Sequence, residues 1–226
     1  MTALSRRSFL ALSAAATAAM YVRPAFALSD PQQLVESSRL AFLDMMTDSG
    51  YEEMRDYVKQ SRALLIFPQL VKGALIVGGE GGSGVLVARN SLGWSYPAFY
   101  TLASGSLGLQ IGGQVAEVML TIMSNKALDA LIDNQFKIGG NIGVAAGPIG
   151  KGLSAATTSN LRGDAYSFAK TQGLYGGVSL EGAGVLERDA WNTDYYGAGA
   201  TPEGIVNQGR HSNKNAELLR NALAPY

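Results

Sequence analysis

The sequence predicts an α+β fold: an N-terminal helical hairpin packed on a Gly-rich antiparallel β-sandwich or partly closed barrel. Three observations carry this. Of the 28 glycines, only Gly50 precedes Gly73, and the other 27 lie between Gly73 and Gly209. Glycine is unfavourable inside helices, so the first part is free to be helical and the second is suited to strands, bulges and turns. Apolar residues recur at helical spacing before residue 62 and alternate in steps of two after residue 63. With 47% hydrophobic and 16% charged residues over 226 positions, the chain has ample material for a buried core.

The N-terminus reads as an address. Arg6-Arg7 followed by Ser8-Phe9-Leu10 is similar to a twin-arginine export motif, and Phe9–Val22 is a mildly apolar run too short for the ~20 residues of a membrane span. Ala25-Phe26-Ala27 is a small-x-small cleavage pattern, so residues 1–27 are expected to be a signal peptide cut between Ala27 and Leu28. The mature chain, 28–226, is then expected to be one soluble periplasmic domain. It would carry 15 basic against 18 acidic residues.

Asp30, Pro31 and Gln33 make a helix start, with Asp30 as cap and Pro31 in the first turn. Leu34, Ala41 and Met45, beside Val35, Phe42 and Met46, form the apolar face, and Ser49-Gly50 ends it. A second helix over 52–62 carries Met54, Tyr57 and Val58, giving a helical region over 30–62 with an acidic outer face. Residues 63–200 read as mainly β. Ala63–Phe67 is a buried run closed by Pro68; Ala74–Val77 and Val85–Ala88 are strands, and Trp94–Tyr100 is another. Leu107, Leu109 and Ile111 alternate on odd positions and Val118, Leu120 and Ile122 on even ones, so a bulge or bend is expected at Gly112-Gly113. Ser124 caps a short helix through Ala127, Leu128, Leu131 and Ile132. Phe136, Ile138, Ile142 and Val144 form one inward face, and Leu174, Val178, Leu180 and Leu186 another. Residues 213–223 read as a closing helix. Gly73, Gly82, Gly84, Val85 and Leu86 recur one hundred residues later as Gly173, Gly182, Gly184, Val185 and Leu186, which points to two similar β-ribbons.

Several chemistries are excluded or disfavoured. Without Cys there is no disulfide, thiolate metal site or cysteine nucleophile, and a single His allows no multi-histidine metal site. A balanced charge argues against nucleic acid. Gly79-Glu80-Gly81-Gly82-Ser83-Gly84 matches G-x-G-x-x-G, but Val85-Leu86-Val87 and a turn at Asn90-Ser91 follow, so no helix faces a pyrophosphate. Gly147-Pro148-Ile149-Gly150-Lys151 lacks the Ser/Thr of a phosphate loop and reads as a strand-ending turn. His211, in a polar loop, reads as solvent-exposed, with no Gly-x-Ser-x-Gly elbow to serve. The carboxylate pairs Glu52-Glu53 and Glu187/Asp189 have no evident reason for a raised pKa. No enzyme, cofactor or metal is therefore expected.

These segments together resemble the SYLF domain family, known from eukaryotic phosphoinositide-binding and actin-patch proteins and from exported bacterial proteins. The resemblance rests on Leu65-Ile66-Phe67-Pro68 with Lys72-Gly73, Gly82-Ser83-Gly84-Val85-Leu86, Gly93-Trp94-Ser95 with Pro97-Ala98-Phe99-Tyr100, Gly147-Pro148-Ile149-Gly150, Ala165-Tyr166-Ser167, and Tyr195-Tyr196-Gly197. It implies a non-catalytic lipid-binding, membrane-associated module whose partner is a phospholipid, a phosphoinositide-like lipid or another amphiphile. An exported chain is removed from actin, so a lipid is the expected partner. Proximity to these motifs and charge select Lys72, Arg89, Lys137 and Lys151 for the head group, with Trp94 and Tyr100 as apolar contacts. The alternatives are an envelope assembly or scaffold protein that pairs through a sheet edge, or a cofactor-dependent enzyme.

Overall fold

The computed structural model describes residues 31–75, 77–91, 93–106, 114–147, 163–171, 174–176, 180 and 182–226. Residues Pro31–Tyr226 form one compact unit. The expected leader, its Ala27/Leu28 junction, the Asp30 cap, the Gly112-Gly113 bend, Gly150 and Lys151 lie outside the described residues.

Helix α1 (Pro31–Thr47) buries Leu34, Val35, Ser38, Ala41, Phe42, Met45 and Met46, the stripe that 3.6-residue spacing dictates. Asp48 ends it by accepting from the Gly50 amide at 2.9 Å, and helix α2 (Glu52–Gln60) follows, burying Met54 and Val58. Arg55 fastens the corner by donating to the carbonyls of Met46 (2.8 Å) and Asp48 (3.0 Å).

The chain then runs through β1 (Ala63–Leu75), β2 (Val77–Asn90), β3 (Gly93–Trp94), β4 (Ala98–Ser106) and β5 (Gln114–Ile122) into α3 (Asn125–Ile132). After these come β6 (Val144–Ala146), β7 (Ala165–Thr171), β8 (Leu174–Gly176), β9 (Gly184–Glu187), α4 (Asp189–Tyr196) and α5 (Glu217–Leu223). The strands form one curled sheet in the order β6-β7-β5-β1-β2-β4-β9, with β3 beside β2 and β8 beside β7.

Alternation sorts each strand between two cores. Leu64, Ile66, Val85, Val87, Phe99, Met119 and Phe168 face α1, α2, α4 and α5. Ala63, Leu65, Phe67, Leu86, Tyr100, Leu102, Val118 and Leu120 face α3 and the segments around Phe136, Ile142, Leu180 and Ile205. Ala63–Phe67 reads as a continuous apolar run because it is covered on both sides.

The register of β1 slips between Phe67 and Leu70 against β5, and between Ile66 and Val71 against β2, a bulge at Pro68-Gln69. There β1 presses on β2: a Cβ on Gly84 would lie 2.5 Å from Phe67 Cδ1 and 2.6 Å from Ile66 O, and one on Gly82 2.4 Å from Gln69 O. Only glycine admits that approach.

The α+β class stands, with five local corrections. β6 runs parallel to β7, so the sheet is mixed. Trp94–Tyr100 is broken at Ser95–Pro97 into β3 and β4, because Pro97 has no amide to donate. Residues 189–196 are helical rather than β: Asp189 supplies the acidic first turn, and Trp191 and Asn192 bury their sides as one face. Phe136, Ile138 and Ile142 are buried as expected, yet only two isolated bridges, Lys137–Gly184 and Ile138–Ile142, join their segment. Leu186 is 49% exposed and its neighbour Val185 is buried, the reverse of the expected face. That last reversal also breaks the internal likeness, since Leu86 points into the core.

Candidate functional site

The region around Lys137 is built from the end of α3 outward. Asp133 closes the helix and Asn134 turns the chain at φ +56°, a conformation that Asn tolerates. Asn134 Oδ1 then accepts from the Glu187 amide at 3.0 Å, the Val185 amide donates to Phe136 O at 3.1 Å, and Lys137 bridges antiparallel to Gly184. Segment 134–138 therefore covers the outer edge of β9. Beyond it Gly139 (φ +76°) makes a tight turn. Asn141 holds that turn, accepting from the Lys137 amide at 3.0 Å and donating to Gln135 O at 2.8 Å.

Between this turn and Gly182–Gly184 lies a cleft of about 470 Å³, lined by Lys137, Ile138, Gly139, Gly140, Gly182, Ala183 and Gly184. Lys137 is exposed and has no ion pair among the described residues. Four of the seven lining residues are glycine, so the walls are largely backbone. The Ile138, Gly139, Gly140 and Gly182 amides donate within the protein, so Lys137 is the lining group that offers charge to a ligand.

The other residues selected from sequence go elsewhere. Arg89 is committed to the C-terminal end of α2: its Nε donates to Ser61 O at 2.9 Å, and its Nη2 to Val58 O (3.1 Å), Lys59 O (3.3 Å) and the Tyr226 carbonyl. A guanidinium fork suits the orphan carbonyls at a helix end. Trp94 is buried under that guanidinium, and Tyr100 is fully buried with its hydroxyl donating to Leu131 O at 3.0 Å. Burial pushes the Tyr100 phenol well above its usual range. Both aromatics are therefore interior residues, not surfaces for an apolar ligand. Lys72 lies on β1 opposite Gln114 and Glu80, and its side chain is outside the description.

Glu187 departs from the sequence expectation, and Glu117 is a second raised carboxyl that the sequence reading did not single out. Burial, then a hydrogen bond shared with the Asp189 carboxylate, pushes Glu187 up to about 7. Burial and the neighbouring Asp44 push Glu117 up to about 7, although Lys170 stands beside it and is itself bound to Asp44 and to Asp48 (3.2 Å). Long-range packing creates both environments, which the linear spacing does not display. His211 is half-buried rather than solvent-exposed, with its ring centroid 6.2 Å from that of Tyr196.

One basic residue escaped the sequence reading. Arg188 stacks 3.6 Å over the Trp191 ring, donates from Nη1 to Ser83 Oγ, and makes no ion pair among the described residues. Burial alone lowers its pKa. The signal was the three-residue spacing from Arg188 to Trp191 at a helix start.

The profile of the Ysc84 family, described as "Las17-binding protein actin regulator", matches residues 103–226, from the middle of β4 through α5. "LAS seventeen-binding protein 3" of Saccharomyces cerevisiae is 31% identical over 155 residues, which are 67% of this chain and 34% of that protein. "Protein YSC84" of the same yeast is 32% identical over 153 residues, 66% of this chain and 32% of its own length. "SH3 domain-containing YSC84-like protein 1" of Xenopus laevis is 33% identical over 130 residues, covering 57% and 39%. The chain thus spans roughly a third of the curated relatives it matches, and their names describe the whole proteins. None of these three names is an enzyme name. With more than half of its length matched by the family profile, the chain belongs to the Ysc84 (SYLF) family.

Proposed function

We propose that this chain is a non-catalytic lipid-binding module acting at the cell envelope, reached by export and removal of residues 1–27. The observation that carries the reading is the cleft beside Lys137, where an ammonium with no ion pair among the described residues stands over walls made mostly of glycine backbone. Such a cleft admits a bulky anionic head group close to the main chain and holds it by charge, without any group placed to attack it. His211 packs against Tyr196 and Gly204, and the raised carboxyls Glu117 and Glu187 pair with Asp44 and Asp189 outside the cleft. The implication of the SYLF resemblance points the same way. The actin-related names belong to longer relatives of which the match spans about a third, so actin-linked binding is not assigned to this chain.

A scaffold role through a free sheet edge has less support, because segment 134–138 already takes the Val185 and Glu187 amides of β9. The test is mass spectrometry of organic extracts from the protein purified from its native host. A stoichiometric lipid in the wild type, lost in Lys137→Glu, is the expected result. Extracts free of lipid, with a copurifying envelope protein instead, would favour the scaffold.

A further inference from the structure

The corner between α1 and α2 lies between two anchors. The start and middle of α1 are pinned by the C-terminal part of the chain: Gln32 donates to Asn215 O at 3.2 Å and accepts from the Tyr195 hydroxyl at 2.6 Å, and Phe42 meets the Tyr226 ring edge-on at 5.6 Å. The end of α2 is pinned by Arg89 through the carbonyls of Val58, Lys59 and Ser61. The corner itself is stiffened from within, by Asp48 on the Gly50 amide and by Arg55 on the carbonyls of Met46 and Asp48. From Asp44, Asp48 and Tyr51 the ties to the sheet go to two consecutive residues of β7. The Tyr51 hydroxyl donates to Ala169 O at 2.6 Å, and Lys170 Nζ lies 2.5 Å from Asp44 Oδ2 and 3.2 Å from Asp48 Oδ2.

Glu117 of β5 stands opposite Lys170 in the β5–β7 register, and both share the face of Met119 and Phe168, which is the helix side. Lys170 is spent on the two aspartates. Glu117 makes no ion pair among the described residues, and its Oε2 is buried and meets no donor. Three carboxyls therefore surround one ammonium. The other charge at the corner is the Arg55 guanidinium, held at the Asp48 carbonyl. Across β5, β1 sets apolar Phe67 and Leu70 on either side of its uncharged bulge. An ionised Glu117 there is a half-buried charge without a partner, whereas its protonated form donates to Asp44. Burial, then Asp44, accordingly pushes its carboxyl up to about 7.

We infer that the α1–α2 corner is a proton-operated clasp: protonated Glu117 bonds Asp44 and holds the corner shut on β7, and ionised Glu117 competes with Asp44 and Asp48 for Lys170, so that the corner lifts between its two anchors. The sign follows from linkage. In the shut corner Glu117 keeps its proton until about pH 7, whereas in the lifted, solvated corner it releases it near the ordinary 4.5. The shut form is therefore favoured at acid pH and loosens as pH rises. Lifting uncovers Met45, Met46 and Tyr51, each at most 2% exposed in the shut form, together with Met119 and Phe168 beneath them. Flexible methionines make that surface an adaptable apolar one. The clasp does not rest on the lipid-binding reading, since none of its residues lines the Lys137 cleft.

The test is hydrogen exchange of the purified protein at pH 5 and pH 8, read by mass spectrometry and corrected for the intrinsic pH dependence of exchange. Amides over Leu43–Tyr51 should exchange about tenfold faster at pH 8 after correction, while those of Leu34–Ser38 and Leu219–Leu223 keep their protection. Glu117→Gln, whose amide still donates to Asp44 and cannot ionise, should hold the corner protected at both pH values. Lys170→Gln should leave it fast at both, with circular dichroism confirming the fold. Corner protection that is independent of pH in wild type would overturn the clasp, as would a full pH response retained in Glu117→Gln. Equal loosening of α1, α2 and α5 at pH 8 would also overturn it, by showing a loss of global stability in place of a local opening.

Discussion

The guanidinium of Arg89 lies 4.2 Å from the centroid of the Trp94 ring. Two residues that charge and aromaticity marked as ligand contacts are thus each other's contacts. Arg89 spends its donors on the carbonyls of Val58, Lys59 and Ser61, which join α2 to the end of β2. Arg89→Ala should therefore lower stability by about 2–3 kcal/mol, the scale of several charge-assisted hydrogen bonds and a cation–π contact. Lipid affinity should stay unchanged. Urea titration beside lipid titration checks both halves, and weaker lipid binding at full stability would return Arg89 to the binding surface.

Glu117 on β5 makes a carboxyl pair with Asp44 on α1. Burial and Asp44 push its carboxyl up from the ordinary 4.5 to about 7, so the folded state holds a proton that the unfolded state has released over that interval. This contribution to stability is complete below pH about 4.5 and is lost as pH rises through about 7. Glu187, beside Asp189, acts in the same direction over the same window. The thermal midpoint should fall between pH 5 and pH 8, and Glu117→Gln should flatten part of that slope. An unchanged slope in the variant would show that Glu117 is ionised throughout.

Gly84 has no room for a side chain, since Phe67 Cδ1 and Ile66 O lie 2.5 and 2.6 Å from where its Cβ would be. A carbonyl cannot rotate away as a side-chain tip can. Gly84→Ala should cost about 2–3 kcal/mol by overpacking. A melting temperature at or above that of wild type would contradict the close approach of β1 to β2.

Much of the fold is legible in the chain because its determinants are local. The α1 stripe, the Ser124 cap on α3 and the parity of Val118, Leu120 and Ile122 all appear as expected. Helix α4 is not legible in the same way. Its Trp191 and Tyr195 look like strand aromatics until Phe99 stands opposite them, 6.0 and 5.2 Å away between ring centroids. The site is less legible still. In the linear chain Lys137 looks like an isolated charge, and Arg188 is hidden between Glu187 and Asp189. Only the fold brings Lys137 to Gly184 and Ser83 to Arg188. Tyr100 fails as a ligand contact for the same reason, because its parity on β4 sends it into the core.

Export is the next expectation. Arg6-Arg7, the apolar run from Phe9 and Ala25-Phe26-Ala27 predict twin-arginine transport with cleavage before Leu28. Replacing both arginines with lysine should leave the uncleaved chain in the cytoplasm on fractionation. Undiminished accumulation of a chain beginning at Leu28 in the periplasm would point to another export route.

Vesicle flotation tests the central claim most directly. The mature chain is expected to carry 15 basic and 18 acidic residues, and a buried acyl chain contributes about 0.8 kcal/mol per CH₂, so apolar contact should outweigh charge. The protein should float with both phosphatidylglycerol and phosphatidylcholine vesicles, somewhat better with the former, and high salt should remove only that difference. Binding confined to anionic vesicles and abolished by salt, or no flotation with either, would contradict the account.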